Sequence, residues 1–475
     1  MSRLLIIGGS DAGISAALRA REINPDWEVT ALVADAYPNF SICGLPFFLS
    51  GETPDWHALA HRSVAEIEAQ GIHLALNHTA RAIDPVERSV TVETPDGALA
   101  RFPYDRLVIG TGAEPVAPEI EGYGLPGVFP LHTMDDSFRV EAHMCALLER
   151  AQIATAQAQG VRPHALVIGA GYIGLEMADA LTRRGFTVTL AQRGPTVLST
   201  VDAPLGRLVA QELERHGVEV VTGAAIERIV PDEETPGRLS IQGRAGFQRV
   251  ADVALVATGV RPVTRLAQAA GVALGEHGAI RVTRAMETSV PGIFAAGDCV
   301  ETWHRVLQGS TYLPLGTTAH KQGRIAGENA VRAGGGRREF AGSLGTQVVK
   351  VFELAIARTG LLEAEALAAG FAPLTIETSA WDHKRYYPGA RELHLRVTGD
   401  RATGRLLGAQ IVGDWRGEVA KRIDIFATAL AHDMRVADLS DLDLSYTPPL
   451  SSPWDPVQMA AQAWEAEHRR LFRER

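Results

Sequence analysis

Cys43 is the residue of this chain best equipped to do chemistry. It lies in Asn39–Gly51, NFSICGLPFFLSG, and alone among three cysteines is followed by a Gly44 and a Pro46. That pattern closes a tight turn and opens a helix. A thiol just before a helix N-terminus faces unpaired backbone N–H groups and the positive end of the dipole, which favour the thiolate. A fall in pKa from about 8.5 to about 7.5 raises the thiolate fraction at neutral pH from roughly 3% to roughly 25%, for about 1.4 kcal/mol. That makes a nucleophile. The competing reading of such a cysteine, taken alone, is a small buried hydrophobe.

The flanking elements favour a redox role. Arg3–Ile7 reads as a buried strand, followed by Gly8-Gly9-Ser10-Asp11-Ala12-Gly13 and an apolar helix. Strand, glycine turn and helix form the setting in which a helix N-terminus receives a pyrophosphate. This copy is imperfect, with Ser10 at the central glycine position. A second cycle runs from the strand Ala165–Ile168 through Gly169-Ala170-Gly171-Tyr172-Ile173-Gly174-Leu175-Glu176, a full G-x-G-x-x-G, to the strand Phe186–Leu190. The two fingerprints lie about 160 residues apart, and each is closed by a Thr-Gly strand end, Thr111-Gly112 and Thr258-Gly259. This is an internal duplication, and it implies two dinucleotides, one of them a tightly held flavin.

After the strand Val29–Val33, Asp35 is the nearest acid for ribose hydroxyls. In the second cycle that place is held by Gln192, then Arg193. Losing a carboxylate removes repulsion of a 2′-phosphate, and a guanidinium can pair with it, which leans toward NADPH over NADH. The plainer reading of Arg193 is a solvated charge. Ile293–Asp298 reads as a buried strand ending in Gly297-Asp298, an acid that needs a partner such as a ribityl hydroxyl. Cys299 and Cys145 lack the turn-plus-helix setting and read as structural. Leu315–Asn329 reads as a helix opened by Gly and Thr, with a positive first half.

Gly334-Gly335-Gly336 is a linker. Beyond it come strands Val348–Phe352, Leu374–Thr378 and Leu393–Val397 and a helical Gly417–His432, without a third fingerprint. His383, Tyr386, Tyr387 and Tyr446–Pro456 concentrate aromatics and prolines there, which suits an interface. The expected fold is α/β: two Rossmann-like domains, for FAD (1–113 with 262–335) and NAD(P)H (114–261), plus an α+β C-terminal dimerisation domain (336–475).

Composition narrows the function classes. The chain has 475 residues, 46 basic and 56 acidic, with a net charge of −10 and no basic run. Neither nucleic acid nor an anionic membrane is an expected partner. The few cysteines suit a reducing compartment. MSRLLIIGG reads as a first strand rather than a signal peptide, and no apolar stretch approaches the ~18 residues of a membrane span, so a soluble cytoplasmic protein is expected. The cysteines lie far apart and His383 has no partner at i+4, so no metal site is expected.

The motifs GGSDAG (8–13), SICGLPF (41–47), GAGYIGLE (169–176), ATGVRP (257–262), FAAGD (294–298), PLGTTAHKQGRIAGEN (314–329), YYPGA (386–390) and YTPPLSSPWDP (446–456) span nearly the whole chain. In this set and order it resembles the flavin-dependent pyridine nucleotide–disulfide oxidoreductases. The match is to the single-cysteine branch of coenzyme A disulfide reductases, CoA-dependent persulfide reductases, NADH oxidases and NADH peroxidases. The resemblance implies a head-to-tail homodimer. Cys43 would sit against the flavin with Ser41, Asp298 would bind the ribityl chain, and Thr318 and Ala319 would lie near the ring. Tyr446 and one of Tyr386 or Tyr387 would reach across the dimer to the sulfur chemistry, and Arg19, Asn39 and Ile42 are candidate substrate contacts. Arg21 is a further one.

Three departures refine this picture. Phe47 stands where other branches carry a second cysteine, so Cys43 must exchange with an external sulfur. Asp11 stands where the peroxide- and oxygen-reducing members carry a histidine, which leaves a peroxide leaving group without an obvious proton donor. Ile42 replaces a polar residue of the disulfide reductases, which counts against CoA itself. The expected activity is reduction by NAD(P)H, through FAD, of a mixed disulfide or persulfide on Cys43, with Tyr446 donating a proton to the leaving thiolate. The sulfur substrate stays open between CoA disulfide, persulfide, polysulfide and other thiol adducts. Alternatives are an NAD(P)H oxidase with a Cys43 sulfenate and a low-turnover, redox-responsive FAD/NAD-binding protein.

Overall fold

The computed structural model describes residues 2–155, 162–334 and 336–473; Gly335 of the expected linker lies outside them. Short runs of Leu, Ile and Val bounded by glycine build two parallel sheets, whose central strands are buried on both faces. The first begins with β1 (Arg3–Ile7), α1 (Asp11–Ile23) and β2 (Glu28–Val33). After α2 (Leu45–Ser50) follow β3 (Ile72–Leu76) and β4 (Arg106–Ile109). The second sheet holds β5 (Val128–Pro130), β6 (His164–Ile168), α3 (Tyr172–Arg183), β7 (Thr187–Gln192), β8 (Glu219–Thr222) and β9 (Val253–Val256), in the order β8-β7-β6-β9-β5. The chain then returns: β10 (Ile293–Ala295) pairs with β4, giving the first sheet the order β10-β4-β1-β2-β3. Every neighbouring pair in both sheets is parallel. Helix α4 (Gly316–Val331) packs along α1.

The last part is a five-stranded antiparallel sheet of β11 (Gln347–Val351), β12 (Leu354–Gly360), β13 (Pro373–Trp381), β14 (Glu392–Asp400) and β15 (Leu406–Asp414), in the order β11-β12-β15-β14-β13. Helices α5 (Val419–Ala431) and α6 (Pro456–Arg473) pack on it, and the buried Trp464 donates its indole N–H to Leu374 O at 2.8 Å. The sequence pattern misses β12 and β15, although β15 is the central strand. Its Gly408 resembles a breaker, yet a Cβ there would lie 2.1 Å from Leu361 O, so close packing demands glycine. The third sheet is tied to the second unit by Phe352 N–H donating to Asp179 (2.8 Å) and by Arg396 pairing with Asp202 (3.0 Å). Among the described residues no helix is long and apolar enough to cross a membrane.

Candidate active site around Cys43

Cys43 sits in a single 3₁₀ turn, Ile42–Gly44, directly before α2. The residue is exposed and lines a cleft of about 2370 Å³, which Ile42 and Glu176 also line. The same cleft is walled by the second glycine loop, by Gln192 and Arg193, by Gly259, by Thr318 and by one face of α5. A thiol and a nucleotide loop from different sheets thus open onto one space.

The expected thiolate-favouring field is not what surrounds Cys43 in the folded chain. Burial by the cleft walls pushes its thiol up, and the carboxylates of Glu176, Asp11 and Asp298 act the same way. Helix α2 has only six residues, so its dipole is a weak counterweight to burial and to those of the acids that are ionised. Deprotonation of Cys43 therefore needs a positive or hydrogen-bonding partner from what binds in the cleft.

Helix α3 points Glu176 into the cleft. Burial pushes its carboxyl up to about 8, Asp179 adds to the rise, and Lys350 of β11 opposes it. Lys350, which sequence reasoning missed, lies 3.5 Å from Glu52 and shares a small cavity with Glu176 and Asp179. Between about 4.5 and about 8 the folded chain holds a proton on Glu176 that the unfolded chain has released. Stability contributed at this site is therefore present below that window and is lost as pH rises through it. The thermal midpoint of a Glu176→Gln variant, minus that of wild type, is expected to grow across this window. A difference that does not change with pH would show that the carboxylate is ionised in the fold.

The first glycine loop has the geometry of a pyrophosphate cradle. Gly8 has φ +123°, and a Cβ there would fall 2.1 Å from Gly110 O; one on Gly13 would fall 2.0 Å from Gly8 O. Only glycine lets β1, β4 and α1 meet so closely. Gly9 accepts from the Asn39 N–H at 2.7 Å, and Gly297 leaves no room for a Cβ beside Ala12. Two buried polar atoms in this region have no partner: Asp298 Oδ1 and Asn39 Nδ2. Burial, with the Asp11 carboxylate nearby, pushes Asp298 up to about 6. An orphaned acceptor and an orphaned donor beside a glycine cradle fit FAD, whose hydroxyls would satisfy them. Thr111 donates to Val263 O at 2.6 Å, and Gly112 has φ +66° in the same strand end. Asp35 follows β2 and accepts from the Tyr37 N–H at 2.8 Å. In the second loop a Cβ on Gly174 would lie 1.9 Å from Gly169 O, and Gln192 Oε1 accepts from the Ala170 N–H at 3.1 Å. Tyr172 OH accepts from Thr200 at 3.0 Å.

Three substrate candidates are corrected. Arg19 cannot hold an anionic ligand, because its guanidinium is bound to Glu328 at 2.6 Å and to Glu22 at 2.6 Å on the α1–α4 seam. Arg21 is likewise taken, by the carbonyls of Pro25, Trp27 and Gln70. Asn39 is 1% exposed and bound to Gly9, so it belongs to the first glycine loop and not to the substrate face. Cys299 is fully buried and Cys145 lies beside Glu141 and Arg184, as structural cysteines should. Tyr386, Tyr387 and Tyr446 are exposed and do not line this chain's own cleft. The two segments that carry them meet, with Lys384 N–H donating to Pro448 O at 3.2 Å and the buried Arg422 joining Asp455 to Asp382 O.

The fold also supplies an imidazole at the first glycine loop, from α4. His320 Nε2 lies 3.3 Å from Asp11 Oδ1, and His320 Nδ1 lies 2.8 Å from Ser15 Oγ. Some 300 residues separate Asp11 from His320, so spacing gives no sign of the pair.

The chain matches the family model described as pyridine nucleotide-disulphide oxidoreductase over residues 2–323, and that family's dimerisation domain over 346–456. It is 34% identical to the NAD(P)H sulfur oxidoreductase (CoA-dependent) of Pyrococcus furiosus, over 97% of this chain and 98% of that protein. It is 32% identical to an NADH oxidase of Methanocaldococcus jannaschii, over 97% and 98%. A solved NAD-dependent persulfide reductase from A. fulgidus superposes with a TM-score of 0.90 at 34% identity, covering 99% of this chain and 84% of that one.

Proposed function

The chain belongs to the pyridine nucleotide-disulphide oxidoreductases, and on that footing we propose that it reduces a low-molecular-weight disulfide or persulfide with NAD(P)H, using Cys43 as its single redox-active thiol. One observation carries this reading: an exposed thiol shares a cleft with the nucleotide loop, while the other two cysteines are built into packing and pairing. The overall balance is NAD(P)H + H⁺ + RSSR → NAD(P)⁺ + 2 RSH.

Gly8–Gly13, Asp35, Asn39, Thr111, Gly112, Gly297 and Asp298 would hold FAD, which when bound supplies two-electron transfer between the nucleotide and the sulfur. The Cys43 thiolate attacks one sulfur of the substrate, forms a mixed disulfide and expels a thiolate. Phe47 offers no resolving thiol, so the mixed disulfide persists until it is reduced. Below about 8 a neutral Glu176 adds no charge to oppose the thiolate. Tyr446 of the partner subunit would protonate the leaving thiolate in a homodimer, consistent with the dimerisation domain. Arg193, exposed on the cleft wall beside Gln192, supports NADPH as the preferred donor.

Steady-state assays with NADPH and NADH against CoA disulfide, CoA persulfide, polysulfide and glutathione disulfide test the reading. Turnover with at least one sulfur acceptor is expected to exceed the oxygen-dependent rate about tenfold or more. The named oxidase relative supports a second reading, a Cys43 sulfenate that reduces oxygen. NADPH oxidation matched by oxygen uptake, and indifferent to every disulfide, would replace the first reading with the second.

A further inference from the structure

We propose that Asp11, His61 and His320 form a binding site for one divalent transition-metal ion of the zinc class. One ligand atom from each residue lies within 4.8 Å of the others, although the residues come from three separate stretches of chain. Asp11 and Ser15 share a face of α1, one helical turn apart, and His320 projects from α4 packed alongside. Two of the three ligands thus stand on rigid elements, as a metal site requires.

The separations fit metal ligation. His320 Nε2 is 3.3 Å from Asp11 Oδ1. Two donors bound to one tetrahedral ion at about 2.0–2.1 Å stand about 3.3–3.4 Å apart, whereas a direct charged N–H···O bond runs to about 2.7–2.9 Å. Ser15 Oγ lies 2.8 Å from His320 Nδ1 and can hold that nitrogen while Nε2 faces the carboxylate. Either a proton or a metal ion can bridge Nε2 and that carboxylate. His61 is exposed, and its ring centre lies 6.2 Å from that of His320, so it closes the site by a side-chain rotation. Its backbone N–H is anchored to Asn39 O at 2.9 Å. Two imidazoles and one carboxylate suit zinc, cobalt, nickel or copper, and do not suit calcium or magnesium, which take mainly oxygen ligands. An ion here ties the loop after α2 to α1 and α4. That loop is already paired to the Cys43 turn through Ser41 N–H and Leu59 O at 2.8 Å.

The test uses the flavin-loaded protein carrying Cys43→Ser, so that the exposed thiol cannot serve as a ligand. Zinc is titrated against a chromophoric chelator, and bound metal is counted by mass spectrometry after gel filtration. One zinc per chain is expected, with micromolar or tighter affinity and a higher thermal midpoint, unaffected by millimolar magnesium. Adding His61→Ala should weaken binding about tenfold or more and abolish the rise in midpoint. Since His61 is an exposed residue outside the cleft, this variant keeps the fold. His320→Ala should weaken binding at least as much. Absence of stoichiometric zinc, or equal binding with His61→Ala, would overturn the site and leave Asp11 and His320 as a plain ion pair.

Discussion

Replacing Cys43 with serine is expected to reduce turnover with the preferred sulfur acceptor by about three orders of magnitude or more, roughly 4 kcal/mol of transition-state stabilisation. A serine hydroxyl neither ionises near neutral pH nor forms a sulfur–sulfur bond, so the exchange loses its nucleophile outright. No other thiol can substitute. Cys299 is fully buried between Ile109 O and Ala296 O, and Cys145 is engaged with Glu141 and Arg184. Rapid mixing with NADPH should still bleach the flavin of the variant, because the substitution leaves the proposed NADPH loop, Gly169–Gly174, untouched. Turnover within tenfold of wild type would remove Cys43 from the reaction.

The second large effect separates the two nucleotide sites. A Cβ at Gly174 would stand 1.9 Å from Gly169 O, and one at Gly13 would stand 2.0 Å from Gly8 O; both clash with backbone that cannot retreat without parting helix from strand. Gly174→Ala is expected to raise the KM for NADPH about a hundredfold or more, near 3 kcal/mol, while the purified protein keeps its yellow colour and is reduced by dithionite. Gly13→Ala should instead yield protein with little bound flavin, read from its visible absorbance. If Gly174→Ala lost flavin while Gly13→Ala kept it, the assignment of the two loops would be reversed.

The geometry reverses the expected electrostatics at Cys43. The turn-plus-helix pattern around Gly44 and Pro46 is legible and forms as a 3₁₀ turn and a short helix. The thiol is nevertheless pushed upward, first by burial and then by acids that α3 (Glu176), α1 (Asp11) and the strand end after β10 (Asp298) bring beside it. Local sequence cannot sum charges drawn from three distant segments. Arg19 fails as a substrate contact for a related reason. Glu328, its partner at 2.6 Å, is brought by a helix some 300 residues later, and the pair seals the α1–α4 seam. The β15 strand was hidden because glycine reads locally as a breaker, whereas Gly408 is required by contact with Leu361.

The sequence by itself determined the features whose physics is local: where many of the strands and helices begin, which glycines of the two loops must lack a side chain, and that two nucleotide loops exist. Each of these follows from residues within one turn or one strand of each other. Tertiary structure alone decided what shares a space with what: the acid that faces the thiol, the cation that occupies Glu328, and the imidazole that joins Asp11. Those pairings depend on packing two sheets and a helix seam together, and energies that fall off over a few ångströms leave no trace in the spacing of residues along the chain.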